Sequence, residues 1–159
     1  MTESMNPAYA VTRFVSKETD DSQDVLRINH LLTPIELNPL HETLEILSRL
    51  KTLESNWDGY NAKTPEEKTI DNAREFVKLL PTPYQKALYS DELNLTPYGT
   101  VTLEWKAKKG NFVSVEIGRS KIGYLSETED GENPFNEAIY FNSNEIPEEF
   151  IQVFKKVFV

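Results

Sequence analysis

The chain has no cysteine, which excludes disulfides, thiol nucleophiles and thiolate metal sites together. Histidine is nearly absent too: His30 and His41 are the only two, and neither lies in a nucleophile signature or a cluster of metal ligands. The six glycines are scattered, so there is no glycine-rich loop to cradle a phosphate. No apolar run approaches the roughly 20 residues of a membrane span. Met1–Ala10 lacks the basic-then-apolar pattern of a signal peptide. Positive charge is in deficit, 17 Lys and Arg against 26 Asp and Glu for a net charge of −9, which argues against nucleic acid or an anionic membrane as partner. These absences describe a soluble, cytoplasmic protein to which no catalytic residue, metal or cofactor is assigned.

Aromatic residues are plentiful: eight Phe, seven Tyr and two Trp compensate for a low aliphatic content. Residues 1–35 read as a loosely ordered arm, because Lys17–Asp24 is too polar to bury surface and no periodicity surrounds it. Residues 36–159 then form a single domain. Acid is concentrated at its end, where residues 128–159 carry a net charge of −5. The acidic runs at 20–24 and 127–132 lack the glycine and glutamate order of a calcium loop.

Asn38-Pro39 is a favoured helix start, and Leu40, Leu44, Leu47, Leu50 and Leu53 recur at helical spacing, predicting a helix over about Pro39–Glu54. Thr64-Pro65-Glu66-Glu67 has the form of a capping box in front of a second stripe of Ile70, Ala73, Phe76, Val77 and Leu80, which Pro81 and Pro83 end. Beyond Pro83 the period becomes two. Val101, Leu103 and Trp105 alternate with polar residues, Phe112–Ile117 and Ile122–Leu125 follow after short turns, Glu137–Phe141 is a fourth strand, and Leu93–Leu95 is a short edge strand. A last amphipathic helix spans about Ile146–Val157. The fold class is α+β: a helical hairpin, an antiparallel meander of about four strands, and a C-terminal helix packed on the sheet.

Between the first two helices lies Trp57-Asp58-Gly59-Tyr60. Asp58 can cap this turn and Gly59 can take a positive φ, while both rings can wedge between helices and sheet as a structural staple. The alternative is a ligand pocket using the same aromatics. Leu53-x-x-Asn-Trp-Asp-Gly-Tyr-x-Ala62, then Pro65, then Gly99-x-Val-x-Leu-Glu-Trp105, resembles a family of small uncharacterised bacterial proteins with a W-D-G-Y-x-A loop and a G-x-V-x-L-E-W strand. The resemblance spans about residues 40–125 and departs at Tyr98, where the family places Asp or another turn-former. It implies a shared fold and no activity.

For chemistry, the one carboxylate pair worth following is Asp58 with Glu104, which in convergence with Trp57, Tyr60 and Trp105 would make a carbohydrate or small-molecule site, with hydrolysis as an extension. The basic turns at Lys106, Lys108, Lys109, Arg119 and Lys121 read as solvated loop tips. The leading expectation is a non-catalytic protein-binding module, antitoxin- or immunity-like in one version. It would engage a basic partner through its sheet or through the acidic surface of Glu127, Glu129, Asp130, Glu132, Glu137, Glu145, Glu148 and Glu149. Assembly with copies of itself is a third outcome.

Overall fold

A computed structural model describes residues 38–131 and 134–159, without the side chains of Ser90 and Glu137. The arm expected at residues 1–35, with His30 in it, lies outside the described residues, as does Glu132. Helix α1, Pro39–Leu50, starts as its sequence predicts: Asn38 caps it by accepting the Leu40 N–H at 3.2 Å. It ends four residues before Glu54, because Lys51, Thr52 and Leu53 hydrogen-bond only three residues back and unwind the last turn. Leu47 is fully buried, and Leu40 and Leu50 pack beside it.

Helix α2, Glu67–Leu79, buries its whole predicted stripe, Ile70, Ala73, Phe76 and Val77, and Leu80 just beyond it. The capping box does not form. Glu66 occupies the cap position without a side-chain hydrogen bond, and the Thr64 hydroxyl faces that of Ser55 at 3.4 Å. Pro65 is buried, and the chain enters α2 two residues later than the motif implies. Pro81 ends α2 and at once opens a short helix α3, Thr82–Ala87, which sequence reading leaves out. A proline stops one helix and suits the first turn of the next.

Five strands follow in meander order: β1 Leu93–Leu95, β2 Val101–Lys106, β3 Phe112–Ile117, β4 Lys121–Glu127 and β5 Phe135–Tyr140, each antiparallel to its neighbour. Val101, Leu103 and Trp105 pair in register with Ile117, Val115 and Val113, so two strands present one continuous apolar face. Helices α2 and α3 and the C-terminal helix α4, Glu148–Val157, pack on this side. Phe76 is the hub. Its ring meets Phe141 and Phe150 edge-on at 5.9 Å each and approaches Trp105 at 6.4 Å.

Two buried groups fasten the layers. The Trp105 indole N–H donates to the Tyr84 carbonyl at 2.9 Å, tying β2 to α3. Asn72, fully buried in α2, donates to the carbonyls of Gly118 and Arg119 at 3.0 and 2.8 Å and accepts from the Ser143 hydroxyl at 2.6 Å. Its amide thus joins the helix to the β3–β4 turn and to the segment entering α4.

Candidate functional site

The Trp57 loop is held by polar groups. Asp58 Oδ1 accepts the N–H groups of Tyr60 at 2.8 Å and Ala62 at 3.1 Å, and Gly59 takes a φ of +78°, the turn chemistry read from the sequence. Asn56 completes the frame: its Oδ1 accepts the Asn61 N–H at 2.7 Å and its own N–H reaches Ala62 O at 2.9 Å. With this frame in place the rings are not needed as wedges, and the staple expected of them is corrected. Tyr60 is 90% exposed and Trp57 36%, its indole N–H donating to Lys63 O at 3.3 Å. The aromatics between helices and sheet are Phe76, Trp105, Phe150 and Phe154.

The proposed pairing of Asp58 with Glu104 also fails. Asp58 is engaged by its own loop, whereas Glu104 faces Lys106 at 3.5 Å in a shallow cavity of about 510 Å³ formed with residues 106–112. Trp105, one residue on, points to the other side of the strand and is fully buried. Alternation on β2 separates the two, so they share no pocket.

The surface that stands out is the other side of the sheet. Thr102, Glu104, Ser114 and Glu116 alternate with the buried residues of β2 and β3, and among the described residues no helix covers them. On β4 and β5 a β-bulge resets the alternation: Ile122 pairs with Ile139 and Tyr124 with Asn136, leaving one residue on β4 opposite two on β5. The outer side therefore carries Lys121 beside Tyr140 and Leu125 beside Phe135, with Gly123 and Ala138 between these pairs. Leu125, Phe135 and Tyr140 are 49%, 71% and 73% exposed. The small residues at the centre leave a trough of about 510 Å³, bounded by the hydroxyls of Thr100, Thr102 and Ser114, with Glu116 accepting from Thr100 at 2.6 Å. Sequence reading missed that Phe135 and Tyr140 share this face because the bulge breaks the period of β5. The signal available was on β4, where Leu125 alternates with Tyr124 and Ser126 and so shares a face with Lys121 and Gly123.

The acidic residues spread around the α4 end of the sheet. Glu127 is exposed on β4, Glu129 pairs with Lys109 at 2.7 Å, and Glu145 is exposed ahead of α4. Glu148 and Glu149 lie in the first turn of α4, where their charge suits the helix dipole, and bond Gln152 and Asn136 respectively. The Thr128 side chain, with a smaller contribution from Asp130's own backbone, holds the Asp130 carboxyl below the ordinary 3.8. The side chain of Glu137 lies outside the described set. Most of the basic turn residues are already matched to acids, Lys106 to Glu92 at 2.8 Å and Arg119 to Glu66 at 3.2 Å, in addition to Lys109. Burial, then the charge of Glu149, raises the Tyr124 hydroxyl above its usual 10.0. Among the described residues no helix is long and apolar enough to cross a membrane, and no three potential ligands are grouped to hold a metal ion.

No family model matches the chain, and no curated protein or solved structure is significantly similar to it.

Proposed function

We propose that the protein is a non-catalytic, cytoplasmic binding module that engages a basic protein partner over the outer face of its sheet. The observation that carries this reading is the pair Leu125 and Phe135, opposite one another on β4 and β5, with Tyr140 farther along the same face, all exposed where no described helix covers them. Apolar side chains grouped in this way mark interaction surfaces, and aromatic anchors supply most of the energy in such contacts. The net charge of −9 and the acids flanking α4 favour a basic partner and a fast, salt-sensitive encounter. An antitoxin- or immunity-like masking role is the version that best uses both features.

The test is capture from the native host by immobilised wild type and by a Phe135→Ser/Tyr140→Ser double variant, each at low and high salt. A partner that salt weakens and that the double variant loses supports the reading. Equal capture by both proteins overturns it. Light scattering on the isolated protein identifies the case in which the partner is a second copy.

A second reading retains the Trp57 loop as a carbohydrate or small-molecule platform. It is favoured by the exposed rings of Tyr60 and Tyr98, at 90% and 80%, on a loop and a turn joined by the Lys63 N–H to Pro97 O bond of 2.9 Å. Fluorescence titration with sugars separates the readings, because Trp57 lies in that loop while Trp105 is sealed in the core.

A further inference from the structure

On the helical side of the molecule, His41, Leu44, Glu45, Ser48 and Arg49 of α1 line a cleft of about 400 Å³ together with Arg74 of α2. The residues from α1 recur at three- and four-residue spacing, so one helix face forms the wall. Arg74 is half-buried, and its guanidinium donates to the Ser48 hydroxyl, which in turn donates to Leu44 O at 2.7 Å. That hydroxyl is neutral. Glu45 is turned toward His41 at 3.4 Å and Arg49 at 3.8 Å. The acids flanking Arg74 on its own helix are also taken, Asp71 by Lys51 at 2.8 Å and Glu75 by Lys78 at 2.7 Å. Among the described residues, Arg74 has no carboxylate partner.

A guanidinium drawn partly out of water without a counter-charge is costly, and its fork of N–H donors matches a carboxylate in two-pronged fashion. The formal charges that Arg49, Arg74 and Glu45 bring to the cleft sum to one positive charge. A single negative charge balances this, whereas a phosphate dianion would overshoot it beside Glu45. Leu44 offers apolar surface to whatever carries the anion. We propose that this cleft is a binding site for a small organic monocarboxylate, with Arg74 as its principal ligand and Arg49 as the second. It is separate from the partner surface proposed on the sheet.

The experiment is NMR titration of the full chain with sodium butyrate, with sodium phosphate and sodium chloride at matched ionic strength as the other arms. Saturable shifts of the Arg74 side-chain N–H and the Leu44 and Ser48 amides with butyrate are expected, weakened about tenfold or more by Arg74→Gln, as for loss of a charged hydrogen bond. Arg49→Gln, at an exposed position where folding is not at issue, should weaken binding several-fold. Three results would overturn the proposal: shifts that chloride reproduces, phosphate binding at least as tight as butyrate, or butyrate binding unchanged in both variants.

Discussion

Gly99 stands against the backbone of Thr64 so closely that a Cβ on it would lie 3.1 Å from the Thr64 carbonyl oxygen and 3.6 Å from Pro65 Cα. The W-D-G-Y-x-A loop and the G-x-V-x-L-E-W strand are therefore parts of one interface, closed by the neighbouring Lys63 N–H to Pro97 O bond. Gly99 also has a φ of +82°, so steric fit and backbone conformation make the same demand. Gly99→Ala is expected to cost about 2 kcal/mol. Gly59→Ala, with a similar φ of +78° but open space around it, should cost only about 1 kcal/mol. Urea midpoints at unchanged slope give both values.

The two tryptophans should behave as opposites. Trp105→Ala empties a sealed site and orphans the Tyr84 carbonyl, at a cost of about 3–5 kcal/mol. Trp57→Ala removes a partly exposed ring and one long hydrogen bond, for about 1 kcal/mol or less. In the wild type, acrylamide should quench Trp57 and leave Trp105 largely untouched.

Asn72 is the most sensitive polar position in the core. Asn72→Asp keeps the shape but puts a carboxylate oxygen where the amide donates to Gly118 O and Arg119 O. A buried carboxylate that faces these part-buried carbonyls in place of their donor costs on the order of 3 kcal/mol. A thermal melt would register this as a lowered Tm, and a change within error would show that the layers do not depend on the amide.

Lys51 joins α1 to α2 by bonding Asp71 at 2.8 Å and Glu67 at 3.2 Å, which raises its ammonium above the ordinary 10.5. Because the folded value lies above the unfolded one, the tie contributes fully below that range and is lost as pH climbs through it. The stability gap between wild type and Lys51→Met should therefore be constant near neutrality and close above about pH 10.5. A gap that persists in strong alkali would assign the effect to packing of the lysine stem.

Helical stripes and strand alternation were legible because each depends on neighbours within a few residues. Ile70, Ala73, Phe76 and Val77 had to share a face of any helix they formed, and Val101, Leu103 and Trp105 a face of any strand. The loop chemistry of Asp58 and Gly59 was legible for the same local reason. The capping box was misread because buried Pro65 and the Gly99 contact outweigh a single side-chain cap.

The chain's own order thus determined the two longer N-terminal helices, the C-terminal helix, the strands and the inward side of β2 and β3, but neither the short helix α3 nor the faces of β5. Periodicity placed Trp105 on the inward side of its strand, whereas the position of Trp57, expected inside as well, was decided by the folded loop. Only packing in three dimensions decided that Phe76 would be the hub, that a bulge in β5 would put Phe135 and Tyr140 on the same outer face as Leu125, and that Arg74 would have no carboxylate partner among the described residues. Those outcomes depend on contacts between residues far apart in the chain, and no local rule encodes them.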